Sequence, residues 1–172
     1  MRRNQGFSLI ELLIVVAIIL IIASIAIPNL LRAKIAANES SAVQSVRTIN
    51  TMQVTYQSTY PTVGYAATLQ ALGPSGPICA TPSSANACLI DWSLSQAISP
   101  SSAKSGYYFA MGVVSNNGVN LSYTVGAAPA GFNQTGVRGF CSNEDAVIRA
   151  TPAQSGPPVN TEEACAAFTA LQ

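Results

Sequence analysis

Residues 7–28 read FSLIELLIVVAIILIIASIAIP, and from Phe7 to Leu31 the one charged side chain is Glu11. A helix rises about 1.5 Å per residue, so a segment of this length crosses the ~30 Å hydrocarbon core of a bilayer. A carboxylate inside such a segment costs roughly 2.5–3.5 kcal/mol on insertion scales, which marks Glu11 as a functional residue in need of a partner. No side-chain cation within the segment supplies one. Upstream stand Arg2 and Arg3, and Asn4-Gln5-Gly6 leads into Phe7.

This order (Arg2-Arg3-Asn4-Gln5-Gly6, then Phe7-Ser8-Leu9-Ile10-Glu11, then apolar residues to Ile27) resembles the class III signal of type IV prepilins and their pseudopilin relatives. The family pattern is a basic leader ending in Gly, then Phe, then an apolar run with Glu at its fifth position. Ile27-Pro28-Asn29-Leu30 is similar to the family's helix-kinking proline step. The motif is carried by the segment up to about residue 40, and beyond it the resemblance is architectural.

The resemblance implies that residues 1–6 are a leader, removed after Gly6 by a prepilin peptidase that also methylates the new amine of Phe7 to give N-methylphenylalanine. It implies a transmembrane and polymerisation segment over 7–31, an amphipathic helical half over 32–60 and a globular head over 61–172. Cleavage would place a positive amine on Phe7, one helical turn before Glu11. In a packed bundle Glu11 of an incoming subunit can pair with the Phe7 amine of its neighbour, or equally with its own. Removing one partner of a buried pair costs ~3–5 kcal/mol, so the pair sets register between subunits more than it adds stability. An ordinary secretory signal has an apolar region of ~7–15 residues, shorter than this one and without a glutamate, although Ser24-Ile25-Ala26 imitates its cleavage site. A twin-arginine signal and a plain single-span anchor are the other readings of the start.

Past Pro28 the pattern changes. Arg32 and Lys34 suggest an interfacial boundary. Ala42, Val46, Ile49, Met52 and Tyr56 then form one helical stripe, with Glu39, Gln44, Arg47 and Asn50 largely elsewhere. Tyr60-Pro61 ends the helix, because the residue before proline is biased away from helix. A helix from Phe7 to Tyr60 would be roughly 80 Å long, and Pro28 removes one of its backbone hydrogen bonds and should kink or loosen it.

Residues 61–105 read as loops around two short helices, Tyr65–Leu72 and Asp91–Ile98. Residues 106–150 read as antiparallel sheet. Tyr107-Phe109-Met111-Val113 and Val119-Leu121-Tyr123-Val125 alternate on either side of the turn signal Asn116-Asn117-Gly118. Val137 to Cys141 and Ala146 to Arg149 make a second hairpin across Ser142-Asn143-Glu144-Asp145. Residues 151–172 hold a loop and a last short helix, Thr161 to Leu171. The fold class expected is α+β: a long N-terminal helical spine with a four-stranded antiparallel sheet in the head, which is also the architecture the pilin resemblance implies.

The four cysteines of an exported domain read as two disulfides, with three pairings possible. Local pairing, Cys79–Cys88 and Cys141–Cys165, is preferred. The second closes a loop worth ~3 kcal/mol in the chain-entropy model, and it resembles the disulfide that bounds a C-terminal surface region in many type IV pilins.

Composition limits the chemistry. The 172 residues hold 8 Lys+Arg, 7 Asp+Glu and no His, and charged residues make up 9%. With no histidine, Ser-His and Cys-His catalysis is excluded, and no Gly-rich phosphate loop with a lysine is present. The cysteine spacings lack a Cys-x-x-Cys knuckle, which argues against zinc. Glu144-Asp145 and Glu162-Glu163 would form a calcium site only if the C-terminal loop folded back on the hairpin. The simpler reading is a solvated turn and acids at a helix N-terminus. Lys104, Arg138 and Arg149 are too few for a nucleic-acid patch. No catalytic residue, cofactor, metal or nucleic-acid partner is therefore expected.

The function implied by the resemblance is a pilin: a structural subunit that starts in the inner membrane and ends in an extracellular filament. Its partners would be copies of itself, the prepilin peptidase, the inner-membrane assembly machinery and, before assembly, the membrane. Gly6 and Phe7 would be the cleavage site, and Phe7, Glu11 and Pro28 the assembly residues. The rivals are a type II secretion pseudopilin, forming a short periplasmic piston, and a minor pilin that binds DNA during uptake.

Overall fold

The computed structural model describes residues 7–171, and the chain divides into two compact units with the boundary between Lys34 and Ile35. Helix α1, Leu9–Thr59, contributes to both. In the first unit the Leu, Ile and Val side chains from Leu9 to Leu31 are exposed without interruption. Pro28 lies inside the helix and has no N–H, so the carbonyl of Ser24 loses its intrahelical donor. The Ser24 hydroxyl donates to the Ile21 carbonyl at 2.7 Å, which hides its own polarity in this apolar stretch.

The second unit is an α+β head built on residues 35–59 of α1. Helices α2 (Leu69–Leu72), α3 (Trp92–Ser95) and α4 (Glu162–Ala166) are short. Strands β1 (Tyr107–Asn116), β2 (Val119–Pro129), β3 (Gly139–Asn143), β4 (Arg149–Thr151) and β5 (Thr169–Ala170) form one antiparallel meander in that order. The turn from β1 to β2 carries Asn117 at φ 51° and Gly118 at φ 82°. Two successive left-handed residues match the strand twist, which is why Asn-Gly makes a tight hairpin here.

The inner sheet face meets α1. Val46, Ile49 and Tyr56 from the helix pack with Tyr107, Phe109, Tyr123, Val125 and Phe140 from the strands, and α2 and α3 add Leu69, Leu72 and Leu94. Burying each large apolar side chain contributes roughly 1.5–3 kcal/mol. The outer sheet face is floored by small residues. A Cβ on Gly112 would strike the carbonyl of Asn160, and one on Gly126 the carbonyl of Val159. These two glycines let the C-terminal segment lie directly on β1 and β2. Cys141 faces the same way as its register partner Gly126, and its disulfide to Cys165 fastens the segment there.

The sheet has five strands where four are expected. The last helix stops at Ala166, and Leu171 donates its N–H to the Ile148 carbonyl, drawing Thr169–Ala170 onto β4 as an edge strand. The expected helix at Tyr65–Leu72 shrinks to Leu69–Leu72. Gly64 sits at φ 81° against the Asn120 backbone, and Tyr65 bonds Asn120, which holds this stretch extended. The helix expected at Asp91–Ile98 spans only Trp92–Ser95, because the Ala97 carbonyl is taken by the N–H of Phe109 on β1.

A larger correction concerns α1. Glu39 and Asn50 lie on its buried face, not away from it. On the exposed face the hydroxyls of Thr48, Thr51, Thr55 and Thr59 each donate to the carbonyl four residues back, as does the partly buried Ser45.

Candidate functional site

The N-terminal residues are arranged by the helix start itself. Ser8 immediately precedes α1, and Glu11 is its third residue. The Glu11 Oε2 atom accepts the Ser8 backbone N–H at 2.9 Å, one half of a capping box in which a glutamate satisfies an orphan N–H of the first turn. The carboxylate also sits at the positive end of the helix dipole. Sequence reading singled out Glu11 and overlooked Ser8, although Ser-x-x-Glu before an apolar run is a recognisable helix-start signal. The other oxygen of Glu11 has no donor among the described residues. Phe7 is 84% exposed, and Pro28 is exposed seventeen residues farther along the helix than Glu11. Gly6 and the expected leader 1–6 lie outside the described residues.

In the head, three polar side chains on the buried face of α1 hold the remainder of the unit in place. Glu39 accepts the backbone N–H groups of Val137 and Arg138, each at 3.1 Å, and the Nε–H of Arg138 at 2.8 Å. Burial pushes the Glu39 carboxyl up, but these donors together outweigh it and hold the group below its ordinary range. Beside it, Asn38 donates to the Thr135 carbonyl at 2.8 Å. Asn50 donates to the Ser142 hydroxyl at 2.8 Å and accepts from the Tyr123 hydroxyl at 3.0 Å, both within the core. Gln53 grips the peptide of Ala66 on both sides, donating to its carbonyl at 2.9 Å and accepting its N–H at 2.8 Å. Every buried polar atom of these three is thereby engaged, which prevents a desolvation penalty and fixes the loop 131–138, the sheet and the start of residues 61–72 against one helix face.

Two disulfides complete the head. Cys79–Cys88 closes a loop on its surface, and Cys141–Cys165 spans 24 residues from β3 to α4. Asp145 is engaged by Arg149 and by the Val147 N–H, and those bonds hold its carboxyl below the usual range. Among the described residues no group of three or more His, Cys, Asp or Glu side chains is placed to hold a metal ion.

The described chemistry is thus that of an uncovered apolar helix continuing into an oxidised head in which one buried polar atom, Asn143 Oδ1, lacks a hydrogen-bond partner. The family model for the prokaryotic N-terminal methylation motif matches residues 1–27. The chain is similar to the type IV major pilin protein PilA of Myxococcus xanthus, with 46% identity over 56 residues, covering 33% of this chain and 26% of that one. It is also similar to the type IV wide pilus major component PilA4 of Thermus thermophilus, with 47% identity over 57 residues, covering 33% of this chain and 44% of that one. The chain therefore spans less than half the length of these curated relatives. No solved structure matches it.

Proposed function

We propose that this chain, a type IV pilin by its N-terminal motif and its homology to major pilins, is the structural subunit of an extracellular filament and polymerises through α1. The observation that carries the reading is the continuous exposure of every large apolar side chain from Leu9 to Leu31. In water such a surface is untenable, since burial is worth roughly 25 cal/mol per Å². A bilayer satisfies it before assembly, and the same segment of other copies satisfies it afterwards.

In this reading prepilin peptidase cuts between Gly6 and Phe7 and methylates the Phe7 amine. The assembly machinery then draws the subunit out of the inner membrane into the filament. Glu11 meets the Phe7 amine of a neighbouring copy with the oxygen that the Ser8 N–H leaves over, setting register. Pro28 supplies a place where α1 yields. The head coats the filament and performs no catalysis. The finished protein resides on the cell surface.

The test is intact-mass and N-terminal peptide spectrometry of the sheared extracellular fraction. An abundant species starting at methylated Phe7 is expected, together with loss of filaments, but not of membrane insertion, in Glu11→Ala. Recovery of only the uncut chain, or wild-type filament levels in Glu11→Ala, would refute the processing and the pairing respectively.

A further inference from the structure

The few charges of the head are sorted in a way that its own fold does not use. Three ion pairs are formed: Lys104 with Asp91, Arg138 with Glu39, and Arg149 with Asp145. Among the described residues this leaves the cations Arg32, Lys34 and Arg47, all on α1, without a carboxylate partner. It leaves the anions Glu144, in the turn of the second hairpin, and Glu162 and Glu163 in α4, all exposed, together with Glu11 in the apolar segment. Basic side chains without partners thus belong to the helix, and the acidic ones of the head to its C-terminal third.

The acids converge. Glu162 lines a cleft with Thr124 and Asn160 at the outer sheet face, and Thr124 stands in register with Asn143, the residue before Glu144. Within the second unit Arg47 is the cation left over, and it separates two open grooves. One, of about 610 Å³, is lined by Ser41, Gln44, Thr48, Leu94, Asp91 and Lys104. The other, of about 620 Å³, is lined by Asn50, Thr51, Val54, Thr55 and Ala146. Asp91 in the first groove is already occupied by Lys104 at 2.7 Å and by the Leu94 N–H at 3.0 Å, so it does not neutralise Arg47.

We infer that the grooved face around Arg47 receives the acidic corner Glu144, Glu162 and Glu163 of a second copy of this chain. The inference rests on the filament reading and names the head-to-head contact within it. The occupant follows from charge: the same chain carries both halves of the complement, each without an internal use. Rows of a like-charged helix face or of like-charged corners would repel, so the attraction also selects the orientation in which copies meet. It adds a polar specificity to apolar helix packing, which by itself fixes register weakly.

The test is charge exchange in the full-length chain in its native cells, read as filament yield in the sheared fraction. Arg47→Glu, and separately Glu162→Lys with Glu163→Lys, should each lower the yield about tenfold or more, as charge reversal at an interface does. Combining all three should restore it to within about threefold of wild type by the same complementarity. Equal melting temperatures of the detergent-extracted variants check that the heads fold, and Arg47→Gln serves as a milder variant with an intermediate loss. Undiminished filaments in both separate reversals, or a combined variant no better than either parent, would overturn the contact. A wild-type chain that makes no filament at all would instead defeat the filament reading.

Discussion

Glu39 is the sharpest place to test how the head is held to its helix. The residue is 6% exposed, and its carboxylate receives three N–H groups, two of them from the backbone of Val137 and Arg138. Glu39→Ala removes the acceptor and leaves those two amides unpaired at a partly buried contact. A buried donor left without an acceptor costs roughly 1–3 kcal/mol, and the Arg138 side chain adds little because water takes over its nearly half-exposed guanidinium. The expected loss is about 3 kcal/mol, or a fall in Tm of roughly 6–12 °C for a unit of this size. Glu39→Gln keeps an oxygen for the amides and loses only the charge, so it should cost about 1 kcal/mol.

The same pair predicts a pH dependence. The Glu39 carboxyl is held below its ordinary value of 4.5 in the folded state. Its charge-dependent stabilisation is therefore complete above that value and is lost as the pH falls through the lower folded value. The Tm gap between wild type and Glu39→Gln should close in that acid window. Thermal melts of the detergent-extracted chain at neutral and acid pH measure all of this. An alanine variant within about 1 kcal/mol of wild type, or glutamine and alanine variants equally destabilised, would refute the argument that the backbone amides carry the anchor.

Further consequences concern the outer sheet face and the core. Replacing Cys141 and Cys165 together by alanine should lower stability by about 3 kcal/mol through the freed loop, visible as a lower Tm without loss of the Cys79–Cys88 bond by mass mapping. Gly126→Ala places a Cβ on the Val159 backbone and should cost about 1–3 kcal/mol, with faster proteolysis within residues 151–161 as the segment lifts. Gln53→Leu strands both the N–H and the carbonyl of Ala66 and should cost about 2–4 kcal/mol, measured by the same melts; a neutral result would mean that water replaces the side chain there.

The fold class was legible because its two halves are written in different periods. The uninterrupted run from Phe7 to Ile27 and the stripe Ala42-Val46-Ile49 need only local spacing, and so does the alternation around Asn116-Asn117-Gly118. Glu39 and Asn50 were misplaced for the opposite reason. Their burial is decided by Arg138 and Ser142, about a hundred residues away, and no local pattern announces a carboxylate that will meet two distant amides. The short helices and the fifth strand fell to the same cause, since Asn120, Phe109 and Ile148 recruit backbone that propensity alone leaves helical. At the N-terminus the carboxylate stood out by its isolation, while its partner Ser8 went unnoticed as one more small polar residue.

The threonine row on α1 has a consequence for what that face tolerates. Thr48, Thr51 and Thr55 look hydrophilic by composition, yet each hydroxyl hydrogen is already committed to the carbonyl one turn back. Between its charged and amide side chains such a face presents methyl groups and pre-satisfied oxygens, and stripping its hydration shell strands none of these hydroxyls. It wets in its free form and dries without an enthalpic penalty for orphaned hydroxyls. In the proposed filament, a subunit that spends one part of its life beside water and another packed among its own kind would be served by a surface of that amphibious sort.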